Sequence, residues 1–226
     1  EAGRNGEIRH LGNFQNTPDA MAKLARRLGR QHGVIEFVYE AGACGYAVQR
    51  QLSGLGFVCR ICAPSMTPRR PGERVKNDRR DSIALARLLR AGELTYVWVP
   101  DPLHEAIRDL VRARHAACRD VRRARIRIQA FLLRNDLRFV GKAWSHRHRM
   151  WLCNRGFAHP AQQIAFQTYL NALEYEEKRK LELEAQIKEA IELSPWSGLV
   201  RALQALKGVG PIVAATIVAE VGDFTR

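Results

Sequence analysis

Strand signals fill the first hundred residues of the chain and then stop, and that switch constrains the fold more than any other feature. "VIEFVY", Val34 to Tyr39, is β-branched and aromatic between Gly33 and Gly42, the composition of a buried strand. Glu7 to Phe14 reads as an earlier strand and Phe57 to Ile61 as a later one. Between them, Thr17, Pro18 and Asp19 supply an N-cap, a first-turn proline and a first-turn acid for a helix through about Leu28,. Tyr46 to Leu52 fits a second short helix. Strands alternating with helices imply an α/β layer domain over residues 1–100.

After Pro100 only helical periodicity remains. From Leu103 to about Asn135, apolar residues fall at Ile107, Leu110, Ala117, Val121, Ala124, Ile128 and Phe131, a three-then-four seam interrupted at Arg114,. A second helix, Ala161 to Leu193, carries Leu170, Leu173, Leu183, Ile187 and Ile191. The two are expected to pair as a coiled-coil hairpin over 101–195. The segment between them, "GKAWSHRHRMWLCNRGFAHP", is a functional loop or a locally folded insert.

Charge points to the partner. The formal net charge is +14 and the pI is near 10.3, a balance suited to a polyanion, because Lys and Arg release counterions from phosphates. The excess is uneven: residues 101–150 carry 13 basic against 5 acidic side chains, whereas 151–226 carry 8 against 9. With no apolar run of membrane-spanning length, and an odd, scattered set of five cysteines without a signal peptide, the expectation is a soluble protein in a reducing compartment, by default the cytoplasm. The chain opens on Glu and ends "VAEVGDFTR", and is read as a fragment.

Against this basic background, "KNDRRDSIALARLL" sets Asp78 and Asp81 at the head of a helix. At about 100° per residue, Asp78, Asp81, Leu85, Leu88 and Leu89 share one side, and Arg80, Arg87 and Arg90 the other. A carboxylate on a buried face is costly unless paired or metal-bound. The bland alternative is that both acids complement the helix dipole. Glu40 ends the "VIEFVY" strand, and strand ends are where α/β sites gather. A strand-end Glu with two Asp on one helical face offers hard oxygen ligands for Mg²⁺, the arrangement used in phosphodiester cleavage.

"VYEAG" followed by "VKNDRRDSIALARLL" resembles the DEDD transposases of the IS110 family. The resemblance implies a RuvC-like domain of RNase H fold, truncated here, then a helical coiled-coil region and a second transposase domain beginning at about residue 196. The family's acids run Asp, Glu, Asp, Asp. Glu40, Asp78 and Asp81 would match the last three, the first having no counterpart in this sequence, and Asn77 stands where a threonine often precedes the third acid. The family further implies Mg²⁺ (with Mn²⁺ as a substitute), DNA strand cleavage and exchange by a serine nucleophile beyond Arg226, a structured non-coding guide RNA, a homo-oligomer (dimer or tetramer), and a bacterial or archaeal, nucleoid-associated setting.

Further residues are candidates for nucleic-acid contact. Lys76, Arg79 and Arg80 flank the acids. Arg119, Arg122, Arg123 and Arg125, with Arg112 and Arg127, form a basic helix. "LKGVGPIVAATIVAEVGDF" looks like the start of the family's last domain and has a helix-hairpin-helix pattern: Gly208 and Gly210 permit a tight turn, with Lys207 beside it. The insert's His146, His148 and His159, with Arg147, Arg149, Trp144 and Trp151, are read as a surface contacting nucleic acid by charge and stacking. Cys59 and Cys62 are read as buried thiols rather than zinc ligands. Two other functions are open: a RuvC-like junction endonuclease using metal-activated water, and a non-catalytic nucleic-acid-binding module in which the acids are only caps.

Overall fold

A computed structural model describes residues 8–68 and 77–224. It divides into two compact units, Glu1–Val99 and Pro100–Arg226.

The first unit is a small α/β layer. Helix α1 (Pro18–His32) starts as its sequence dictates: the Thr17 side chain accepts from Ala20 N–H, Pro18 sits in the first turn, and Gly33 at φ 73° ends it. Strand β1 (Glu36–Glu40) runs parallel to β2 (Val58–Cys62), with Glu36 opposite Val58 and Glu40 opposite Cys62. Helix α2 (Ala47–Gly54) makes the crossover a parallel pair requires,. Beyond β2, residues 95–97 add a short antiparallel stretch through Ala63 N–H to Thr95 O and Val97 N–H to Ile61 O. Ala25, Leu52 and Cys59 form the buried core, with Phe37, Tyr39, Val48 and Phe57 packed around it. Burial pushes the Cys59 thiol up to about 11 and also raises that of Cys62. Both behave as apolar core residues, as the sequence suggested.

Two expectations change. The strand read at Glu7–Phe14 does not form: residues 8–16 are neither helix nor strand, and Leu11 and Phe14 are exposed. A β-run needs a neighbouring edge to satisfy its backbone groups, and among the described residues none pairs with this one. Helix α3 (Asp78–Ala91), capped by Asn77 through Arg79 N–H and closed by Gly92 in the left-handed region, contains no buried residue. Leu85, Leu88 and Leu89 are half-buried, Asp81 is half-buried, and Asp78 is exposed. Asp81 shares the half-buried side with the leucines, whereas Asp78 lies exposed like Arg79 and Arg80, so the helical wheel overstated the burial of the acids.

The second unit is helical. Helices α4 (Pro102–Arg134) and α6 (Pro160–Glu192) are 33 residues each, about 50 Å long at 1.5 Å per residue. They lie antiparallel: Arg114 pairs with Glu184, Arg179 with Asp120, and Gln162 with Asn135. At the turn end of this hairpin, α5 (His146–Cys153) folds back onto a core of Val121, Ala124, Ile128, Phe131, Leu152, Phe166 and Leu173. At the other end α7 (Ser197–Leu203) and α8 (Pro211–Val221) pack on Ile107, Val111, Ile187 and Ile191 through Val200, Ala214, Ala215 and Val218. His104 and Arg108 on α4 both bond the Ala219 carbonyl, at 3.0 and 2.8 Å, so side-chain donors from α4 satisfy the C-terminal end of α8,. Arg112 grips Glu220 side-on.

Candidate functional site: three acids and a basic helical face

Glu40 is the last residue of β1 and is half-buried. It stands opposite Cys62 in the sheet register, and, after burial itself, its charge contributes to raising that thiol. The next residue bridges the strand ends, Ala41 N–H donating to Cys62 O at 2.9 Å. Asp78 and Asp81 occupy the first turn of α3, and α3 packs against β1. Thus the three acids lie on two elements in contact. Among the described residues, however, no group of three or more His, Cys, Asp or Glu side chains is gathered closely enough to hold a metal ion. The donor chemistry, all carboxylate oxygen, suits a hard divalent cation; the arrangement does not assemble one. Arg79 and Arg80 are exposed on the same helix. Lys76 lies outside the described residues.

On α4 the buried stripe faces α6, and Arg119, Arg122 and Arg123 project from the exposed side. Arg123 pairs with Asp120 at 3.1 Å, whereas Arg119 and Arg122 make no ion pair among the described residues. Arg125 differs from these: its side chain is 34% exposed, bonded to Glu177 at 2.6 Å and lying 5.0 Å from the Trp144 ring centre. At the far end Lys207 is exposed, Gly208 adopts φ +87°, and Gly210 caps α8 with no side-chain bond, ahead of Pro211.

The insert's aromatic cluster faces inward more than the sequence suggested. His148 is 4% exposed. Its Nδ1 accepts from Trp144 N–H at 2.9 Å, and its ring stacks on Trp151. Burial, reinforced by Arg149, lowers its pKa, so the neutral ring with hydrogen on Nε2 is the form that fits,. Arg149 is committed to Glu177 through both terminal nitrogens. His146 and Arg147 remain exposed. Sequence reasoning passed over Glu177 and Glu184, which anchor this region. Their signal was present in the seven-residue spacing that sets both on the α6 flank facing the α4 arginines.

The sequence matches the family model of the IS110-type DEDD transposases, described as "Transposase", over residues 3–135. The chain belongs to this family. It is 43% identical over its whole length to the putative transposase y4qE of Sinorhizobium fredii (strain NBRC 101917 / NGR234), covering 55% of that protein. It is also 33% identical over 205 residues, 89% of its length, to the transposase for insertion sequence element IS1533 of Leptospira borgpetersenii, covering 59% of it. The chain therefore spans somewhat over half the length of these curated relatives. Glu40, Asp78, Asp81 and the α4 arginines all fall within the matched residues. No helix among the described residues is long and apolar enough to cross a membrane.

Proposed function

We propose that the chain is part of a DNA transposase of the IS110 type that cleaves and exchanges DNA strands with Mg²⁺ or Mn²⁺, guided by a structured RNA, using a serine nucleophile outside these 226 residues. The observation that carries this reading is the family match over residues 3–135, which spans all three acids. Glu40, Asp78 and Asp81 are the carboxylates proposed for the metal. The described residues do not by themselves bring three such ligands together. Arg79, Arg80, Lys76, Arg119, Arg122 and Arg123 are proposed to hold the nucleic-acid backbone. Lys207, Gly208 and Gly210 are proposed to offer a second phosphate contact at the start of α8.

The full-length protein, supercoiled DNA carrying the element's ends, and Mg²⁺ test the reading. A protein-DNA adduct trapped by denaturant in the wild type, lost in Asp78→Asn, is expected. Cleavage with no adduct would favour a junction endonuclease that uses water. A non-catalytic binding module is favoured by one observation, the first-turn position of Asp78 and Asp81, where acids complement the helix dipole,. In that case Asp78→Asn would leave nucleic-acid binding unchanged and there would be no cleavage to lose.

A further inference from the structure

Two arginine forks on α4 each close edge-on upon one carboxylate, and a third, beside a cleft, does not. Arg112 presents Nε and Nη2 together to Glu220, each at 2.8 Å. Arg114 presents the same edge to Glu184. Arg125 has only half of that arrangement: Nη2 donates to Glu177 Oε1, while Nε, buried, has no hydrogen-bond partner. The cause is the shared carboxylate. Glu177 is turned to Arg149, which takes both of its oxygens at 2.7 and 2.8 Å, so one carboxylate serves two guanidinium groups and cannot complete both edges.

The space alongside is a cleft of about 360 Å³ between α4, α5 and α6, lined by Arg125, Arg149, Lys180 and Glu177, with Val121 and Leu181 as apolar wall. That volume is at the small end of the range for ligand sites, about 300–1,000 Å³. Charge in and beside it is unbalanced. Arg114, Arg125, Arg149 and Lys180 share only Glu177 and Glu184. An unsatisfied guanidinium edge under excess positive charge calls for a second acceptor, and a tetrahedral oxyanion suits it, since arginine forks match phosphate oxygens side-on. Trp144 over the guanidinium limits approach on that side.

We infer that this cleft is a phosphate-ester site, with Arg125 and Arg149 as the fork, Lys180 as a third cation and Glu177 as the internal anion that a phosphate competes with or joins. The site itself stands on geometry alone; that its phosphate comes from a nucleic-acid strand rather than from free phosphate rests on the function proposed above.

The test follows the Arg125 Nε–H resonance directly, in the ¹⁵N-labelled 226-residue chain at fixed ionic strength. Inorganic phosphate should shift it saturably where chloride does not. Lys180→Met should weaken the response roughly fivefold, the size of one partly exposed charge pair, and Glu177→Gln should strengthen it by removing the competitor. The dinucleoside monophosphate dTpdT, with its single internal phosphodiester, separates the sources: a response at lower concentration than phosphate assigns the site to a strand backbone, and the reverse assigns it to free phosphate or a monoester. No saturable shift in either the wild type or Glu177→Gln, or an identical response in Lys180→Met, would overturn the site, while leaving DNA binding by the exposed face of α4 untouched.

Discussion

At the scale of single residues, ionisable groups in the helical unit are tied to their neighbours in ways that set a pH dependence. The Arg149 hydrogen bonds hold the Glu177 carboxyl below its ordinary 4.5, with Arg125 adding to them against burial; Arg112 does the same for Glu220. A depressed carboxyl contributes stability that is present above the unfolded value and lost as pH falls through the folded one. Glu177→Gln should therefore cost about 2 kcal/mol at neutral pH, in line with hydrogen bonds to a charged group. The gap from wild type should close below pH 4.5; urea midpoints at pH 7 and pH 3.5 measure it, and a gap that stays constant would mean the carboxylate is not the source. His148 works in the same direction from a different cause. Burial lowers its pKa, so the unfolded chain takes up a proton first and stability falls as pH drops below about 6.5. Its replacement by Phe should flatten the melting temperature between pH 7 and 5.5, whatever it does to the temperature itself.

At the scale of elements, much was legible because local chemistry decides it. Pro18, Pro102, Pro160 and Pro211 each stand in the first turn of a helix, where the missing N–H costs nothing. The seam from Ile107 to Phe131 is buried nearly as the spacing indicates. Arg114, an apparent interruption, proved to be answered by Glu184, seventy residues away, a pairing that one helix's pattern cannot reveal. For α3 the wheel supplied the shared side of Asp81 and Leu85 but not what covers it, nor that Asp78 is left exposed, because cover depends on neighbours from elsewhere in the chain. The turn before α8 offers a sharp check. Gly208 has φ +87° with open space where a Cβ would stand, whereas Gly210 is in ordinary extended backbone. Gly208→Ala should then cost about 1 kcal/mol by conformation alone, and Gly210→Ala much less. Equal losses in thermal denaturation would contradict the turn. In the hairpin core, Phe166→Ala removes a side chain 1% exposed and should cost about 3–5 kcal/mol.

At the scale of the molecule, a net charge of +14 is concentrated in the middle of the chain, and the exposed face of α4 carries Arg119 and Arg122 without acid partners among the described residues. If Arg119 and Arg122 each meet a phosphate, replacing both with Gln should reduce the slope of log K against log salt by about 2, since each contact releases close to one counterion. An unchanged slope would move the nucleic acid to another surface. What the sequence conveyed at this scale was the family, through "VYEAG" and "KNDRRD". Convergence of side chains from two elements is a tertiary property, and the described residues leave Glu40, Asp78 and Asp81 on touching elements without a gathered ligand set.

That convergence is the claim on which the proposed chemistry depends. Mn²⁺ titration of the 226-residue chain, followed by electron paramagnetic resonance, tests it most directly. The account predicts saturable loss of free Mn²⁺ signal in the wild type and its recovery in Glu40→Gln, Asp78→Asn and Asp81→Asn taken singly; the same titration curve in all four proteins would contradict it.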